Sequence, residues 1–180
     1  MSSIEERPNN GDFTGENSDN SNLNFAELVN RGDSLSEIFF ALTSHLRETF
    51  EINKGVLILR QEQPRKLAAV SMWKNGLGRD GLALSLPCDS SLFEQVAEQG
   101  EVYTEHFCGA FSGNFFERKL LLDDNSRSFV LQPLKSDGQV VGLLGYSSES
   151  ATAFTMFEEG TLDSIAEELG SVIESGKYSL

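Results

Sequence analysis

Residues 128–148, with the sequence SFVLQPLKSDGQVVGLLGYSS, decide the fold of this 180-residue chain. Two apolar runs, 129–134 and 140–146, flank the dipeptide Asp137-Gly138. A two-residue turn between antiparallel strands needs positive φ angles, which glycine adopts without steric cost. The stretch therefore predicts a tight β-hairpin.

An amphipathic segment follows the hairpin. It opens at Phe154-Thr155 and is predicted to form a terminal helix that ends near Ser175. Its apolar residues repeat at spacings of three and four and are Leu162, Ile165, Leu169 and Val172. This spacing is typical of a helix that packs along one stripe.

The elements upstream of the hairpin follow from capping and periodicity. Ser34 and Glu37 have the spacing of a capping box, which predicts a helix start. The apolar face of that helix is predicted to carry Leu35, Ile38, Phe39, Leu42, Leu46 and Thr49. A second capping box, Ser91 to Glu94, predicts a helix that Gly100 ends. The other predicted elements are strands at 56–59, 67–73, 82–86 and 102–104, a loop at 74–81, and helices at 25–30 and 115–122.

This order of elements, over residues 34–175, resembles a GAF domain. The resemblance rests on a strand ending in Pro133-Leu134, a glycine turn, a second strand with Gly142-Leu143-Leu144, and Phe154-Thr155 before the last helix. It implies an α+β, GAF/PAS-like fold, in which N- and C-terminal helices flank one side of a central antiparallel sheet. The expected domain spans residues 23–176, and the polar residues 1–22 are expected to form a disordered tail.

Composition excludes several classes of function. The formal net charge is −14 and the pI is near 4.5. Binding to nucleic acid or to an anionic membrane requires a basic surface, so neither partner is expected. The apolar runs are too short to span a bilayer, and we expect a cytoplasmic protein. The first methionine and the polar tail favour an independent small protein over an excised domain.

The resemblance raises an enzyme hypothesis, because one GAF subfamily reduces free methionine sulfoxide. Its members carry three cysteines, with the catalytic one a few residues before the strand that ends in Pro-Leu. This chain has two, Cys88 and Cys108, and Cys108 lies 20 residues ahead of Ser128. We therefore interpret both cysteines as structural and predict no catalytic residue and no metal site.

Two other ligand classes of the family lack their motifs. Bilin attachment requires a Cys-His pair, whereas here His106 precedes Cys108 by two positions and His45 is expected on the solvent side of its helix. Cyclic-nucleotide binding requires an Asn-Lys pair, but Leu134 precedes Lys135. The residues after Phe154, Glu158 and Glu159, are then interpreted as an acidic first helical turn. No cofactor can be named.

The aromatic-rich segment 107–116 lies where GAF domains place a lid over a ligand pocket. Small-molecule pockets are mostly apolar with a few placed polar groups. The predicted ligand-binding residues are Trp73, Phe107, Phe111, Phe115, Arg118, Phe129 and Gln132. The alternative is that the phenylalanines fill the pocket themselves.

A homodimer is the second expected mode of action, because many GAF dimers form through the first and last helices. The predicted interface residues are Leu35, Leu42, Leu162, Ile165, Leu169 and Val172. The function predicted from the sequence is a non-catalytic signalling or regulatory module. It binds a small molecule, dimerises, or does both, and passes the signal to a separate partner protein. A sulfoxide reductase and a pure interaction module without ligand are the alternatives.

Overall fold

In the computed structural model the described residues are 27–28, 31, 33–106, 109–160 and 162–177. The predicted tail at 1–22, Phe107 and Cys108 lie outside these residues, as do the side chains of Glu158 and Glu159. Of the predicted helix at 25–30, the structure describes residues 27–28, which are helical.

Seven strands form one antiparallel sheet. They are β1 (Ile52–Glu62), β2 (Arg65–Lys74), β3 (Leu77–Arg79), β4 (Leu84–Ser85), β5 (Tyr103–His106), β6 (Ser128–Ser136) and β7 (Gln139–Ser148). The strand order is β3-β2-β1-β7-β6-β5, and β4 also pairs with β2. The helices are α1 (Leu35–Phe50), α2 (Leu92–Gln99), α3 (Phe115–Leu121) and α4 (Asp163–Val172). A 3₁₀ helix (Thr155–Glu159) precedes α4 and a π-helical turn (Ile173–Lys177) follows it. The predicted α+β architecture is confirmed.

The β6–β7 hairpin has the predicted two-residue turn. Asp137 and Gly138 have φ angles of 48° and 79°, and Ser136 pairs with Gln139 across the turn. Strand alternation then sends Phe129 to one face of the sheet and Val130 to the other. The hairpin therefore contributes to two separate cores.

Helices cover both faces of the sheet, which corrects the expectation of helices on one side. The terminal-helix core lies between the sheet, α1 and α4, with buried members that include Phe39, Tyr146 and Leu169. The second core lies beneath α2 and α3 and includes Phe93 and Phe129. A half-buried sheet would need one covering layer, whereas this sheet is apolar on both faces and needs two.

The predicted start of α1 is confirmed. The Glu37 carboxylate accepts from the Ser34 amide at 2.6 Å, and the Ser34 hydroxyl accepts from the Glu37 amide at 3.2 Å. Thr49 is exposed rather than on the apolar face, and Thr43 is buried there instead. Its hydroxyl lies 3.1 Å from the phenol oxygen of Tyr146, whose pKa is raised by burial. His45 is exposed, as expected.

Three local predictions need correction. The strand predicted at 56–59 begins at Ile52, so Lys54 and Gly55 also lie inside β1. The predicted loop at 74–81 contains β3. The C-terminal segment is interrupted at Gly160, whose φ of 75° ends the 3₁₀ helix before α4 begins.

Helix α4 rests directly on the backbone of β6. A Cβ atom built at Gly170 would overlap the carbonyl group of Lys135. Since any larger residue separates the two elements, glycine is required here for packing rather than for its φ angle.

We expect Gly170→Ala to destabilise the protein by about 1–3 kcal/mol, the usual range for overpacking. In an exposed helix the same change raises the free energy of unfolding by about 1 kcal/mol. A decrease would therefore identify the close contact with β6. The measurement is urea unfolding followed by circular dichroism. Ser171→Ala, at the adjacent exposed position of α4, is the control. A Gly170→Ala variant as stable as the unmutated protein would contradict the close contact with β6.

Candidate functional site

The sheet face beneath α2 and α3, where the sequence predicts a ligand pocket, is filled by side chains. The ring of Phe129 lies 5.5 Å from that of Phe111 and 5.9 Å from that of Tyr103, measured between centroids. Phe93 and Leu121 are fully buried in the same core. Of the phenylalanines in the predicted lid segment 107–116, Phe111 packs in this space, whereas Phe115 and Phe116 are exposed.

A buried carboxylate joins the two helices that cover this face. Glu117 of α3 accepts from the amides of Leu92 and Phe93, at 3.0 and 3.1 Å, at the first turn of α2. It also accepts from the Ser91 hydroxyl and from the Asn114 amide. Four donors thus surround a side chain that is fully buried. This carboxylate is used in helix capping and is not exposed to a ligand.

Glu117 corrects the capping box predicted at Ser91. The Ser91 hydroxyl does accept from the Glu94 amide, at 2.9 Å. The carboxylate at this helix end is that of Glu117, which lies on another helix and accepts from the Leu92 and Phe93 amides. The sequence pattern therefore pointed to Glu94, whereas the acid that caps α2 is Glu117.

The predicted ligand-binding residues do not assemble into one pocket. Trp73 is buried in the terminal-helix core, and Phe129 lies on the opposite face with the half-buried Phe111. Phe115 and Arg118 are exposed on α3. Side chains alternate along strands, so Trp73 in β2 and Phe129 in β6 face opposite sides of the sheet.

The predicted dimer residues divide into two groups. Those buried in the core of the single chain are Leu35, Leu42, Leu162 and Leu169, at 6%, 0%, 3% and 0% exposure. A second copy of the chain would have to open that core to contact them, so their part in an interface stays a prediction. Ile165 and Val172 are half-buried on α4.

Gln132, the remaining predicted ligand residue, lines a cleft between β6 and α4 with a volume of about 420 Å³. Its side chain is 4% exposed, and its Oε1 atom has no hydrogen-bond partner in the described part of the chain. Its Nε2 atom is 3.5 Å from the Asp163 carboxylate. Glu101 and Glu167 make this Gln132 cleft acidic.

A second cleft, of about 340 Å³, lies at the opposite side of Lys135. We call it the Arg60–Lys135 cleft. It is bounded by the end of β1, the C-terminus of α2 and the β6–β7 turn, and its lining includes Arg60, Glu62, Arg65 and Glu98. Gly100 and Lys135 line both clefts.

A third cleft, of about 410 Å³, contains the exposed Cys88 with Arg65, Glu94 and Glu98. Among the described residues no three histidine, cysteine or acidic side chains are placed to hold a metal ion. Within the same residues no helix has the length and apolar character needed to cross a bilayer.

Helix α3 is held in place by a second buried charge, Lys54 of β1. Its Nζ donates to the carbonyls of Lys119 and Leu122, at 2.8 and 3.2 Å, and lies 3.3 Å from Asp123. Burial lowers the pKa of Lys54, although the Asp123 charge partly opposes that shift. Burial raises the pKa of Asp123, but a hydrogen bond from Lys74 and the charge of Lys54 outweigh it and lower the pKa overall.

Comparison with known proteins places this geometry in a family. The sequence model described as GAF domain matches residues 34–175. No curated protein sequence matches the chain. The likeness to solved structures shows the fold alone, because the three described next are 16–19% identical in sequence.

Three of these structures illustrate the range. The GAF domain of a phosphoenolpyruvate-protein phosphotransferase from Coxiella burnetii is 16% identical, with a TM-score of 0.64 over 84% of this chain and 89% of that one. The GAF domain of a two-component sensor histidine kinase from Bacillus halodurans is 16% identical, with a TM-score of 0.56 over 85% and 98%. Free methionine-R-sulfoxide reductase from Neisseria meningitidis, in complex with its substrate, is 19% identical, with a TM-score of 0.60 over 80% of each chain.

We expect Glu117→Gln to destabilise the protein by about 2–4 kcal/mol, because an amide group replaces one carboxylate acceptor and leaves buried donors unpaired. Glu94→Gln is the matched control, since the Glu94 carboxylate does not complete the cap. The free energy of unfolding from urea titrations, compared between the two variants, checks this. Equal stability of both would show that Glu117 does not hold α2 and α3 together.

Proposed function

The chain belongs to the GAF domain family, and from that premise we propose that it is a non-catalytic regulatory module that acts through its outer surfaces. GAF domains are commonly sensory or regulatory, and neighbours of known structure include domains of a phosphotransferase and a sensor kinase. In this proposal the module works in the cytoplasm, binds a small molecule at a surface cleft or forms a homodimer, and passes the signal to a separate protein.

The filled sheet face is the observation that carries the proposal. A substrate or a cofactor held beneath α2 and α3 would have to displace Phe111, Phe129 and their neighbours from a packed core. Each buried phenylalanine that loses its packing costs several kcal/mol, roughly 3–5 for a full truncation. The acid buried there, Glu117, is already bonded to four donors and has no role left in proton transfer.

The surface clefts support recognition in place of catalysis. The Gln132 cleft offers an unpartnered amide oxygen and three carboxylates, and the Arg60–Lys135 cleft offers basic groups. Neither contains a described cysteine or histidine. Polar groups of this kind hold a ligand by hydrogen bonds and charge.

A sulfoxide reductase is the second candidate, because Cys88 is exposed in a cleft and some structural neighbours are reductases. A thiol must be accessible to act as a nucleophile, and Cys88 meets that condition. The same cleft carries Arg65, Glu94 and Glu98.

The experiment that tests the proposal is a thioredoxin-coupled assay of NADPH oxidation with free methionine sulfoxide. We expect the rate with this protein to equal the rate without it, while the Neisseria meningitidis reductase serves as the positive control. Turnover that disappears in Cys88→Ser would overturn the proposal and establish the enzyme. Turnover retained in Cys88→Ser would also overturn it and move the nucleophile to another residue.

A pair of substitutions on α4 tests the homodimer. We expect Ile165→Glu, at a half-buried position, to leave the chain folded and to shift it from dimer to monomer in sedimentation velocity. Leu169→Glu should instead unfold the protein, because it places a charge in the terminal-helix core. Circular dichroism separates the two effects. A dimer that persists in Ile165→Glu would exclude this face of α4 as the interface.

A further inference from the structure

We propose that the Arg60–Lys135 cleft binds a small oxyanion, of the phosphate or carboxylate class. This deepens the proposed function, because it names the chemistry of a ligand at one of the surface clefts. The cleft lies at the end of α2 and beside the β6–β7 turn, at the edge of the core beneath α2 and α3 to which Ala97 and Val140 belong. Its residues come from elements distant in sequence, so it is a property of the folded chain.

Arg60 lines the cleft and forms no ion pair with a carboxylate in the described part of the chain. Its Nη1 atom approaches the carbonyl oxygens of Ala97 and Val140, both at 3.5 Å. These distances exceed the usual range for an N–H···O hydrogen bond, so both contacts are weak. Its Nε atom is buried and has no hydrogen-bond partner among the described residues. The guanidinium charge is thus only weakly satisfied within the chain, and such a group binds oxyanions through charge-assisted hydrogen bonds.

Lys135 brings a second cation to the same place. It is half-buried, and a Cβ atom at Gly100 would lie 3.8 Å from its Nζ and 3.6 Å from Val140. These are ordinary van der Waals distances, so the ammonium group lies beside the C-terminal end of α2. Among the described residues no carboxylate forms an ion pair with Lys135.

The local charge is unusual for this chain. The cleft has three basic side chains, of Arg60, Arg65 and Lys135, against two carboxylates, of Glu62 and Glu98. Glu98 is engaged at the rim by Arg65, at 3.2 Å, and both side chains of that pair are exposed. The chain as a whole carries −14. Two cations without an acidic partner are therefore a local exception to the composition.

The C-terminus of α2 limits which anions fit. Its last carbonyl groups carry partial negative charge, which favours Arg60 and Lys135 but opposes an anion. An anion is held there if both cations contact it at once, which favours an oxyanion with several acceptor oxygens over chloride. A volume of about 340 Å³ accommodates a ligand of that size.

The test is binding of two probes, inorganic phosphate and malonate, at constant ionic strength set with sodium chloride. Thermal unfolding and amide chemical shifts in nuclear magnetic resonance are recorded for the unmutated chain. We expect at least one probe to raise the unfolding temperature in a saturable way and to shift the amides of Gly100 and Gly138. The probe that binds more tightly identifies the class of oxyanion.

Two variants and a control assign the site. Arg60→Gln and Lys135→Gln should each weaken binding about tenfold or more, the effect of losing one charge-assisted hydrogen bond. If Arg60→Gln does not fold, Lys135→Gln still tests the site. We expect that variant to fold, because Lys135 donates no described hydrogen bond to α2. Arg79→Gln removes one positive charge at the far edge of the sheet, on β3, and should leave the affinity unchanged.

The proposal is overturned if neither probe binds, or if Arg79→Gln weakens binding as much as the cleft variants do. Equal affinity in the unmutated protein and in both cleft variants would also overturn it. These outcomes do not depend on the sulfoxide assay. An inactive protein that binds neither anion would contradict this inference and leave the regulatory function in place.

Discussion

The antiparallel pairing of β1, β7 and β6 is the constraint on which the rest of the structure depends. Gly55 pairs with Tyr146 and Tyr146 with Val130, so three strands hold one register across the middle of the sheet. A shift of one residue would exchange the two faces, because side chains alternate with a period of two. That register sends Tyr146 and Val130 towards α1 and α4, and Phe129 and Leu143 towards α2 and α3.

Two buried charges fix the positions of α2 and α3 on their face of the sheet. The apolar packing there has no directional preference of its own. Glu117 binds the start of α2, and Lys54 binds the end of α3 through two carbonyl groups and Asp123. A buried charge is costly unless hydrogen bonds satisfy its lone pairs or protons, and the hydrogen bonds of Glu117 and Lys54 largely do so. Their effect is to specify one position for α3, which a purely apolar contact would leave free to slide.

Local signals were sufficient to predict most of the fold from the sequence. The turn at Asp137-Gly138 and the capping box at Ser34 depend on neighbouring residues, and both are as expected. The site was harder, because it depends on contacts across the chain. The Asn114–Glu117 spacing is visible as a capping box, but its second partner, the start of α2, lies about 25 residues away. Which face of the sheet would be filled could not be inferred from composition.

Lys135 links the surface clefts to the terminal helix. Its side chain lines both clefts, while its backbone carbonyl is the group against which Gly170 of α4 packs. One ammonium group therefore borders both clefts. A ligand shifts a conformational equilibrium by its difference in affinity for the two states. The oxyanion proposed for the Arg60–Lys135 cleft would contact the residue on whose backbone α4 packs, and α4 carries the half-buried Ile165 and Val172.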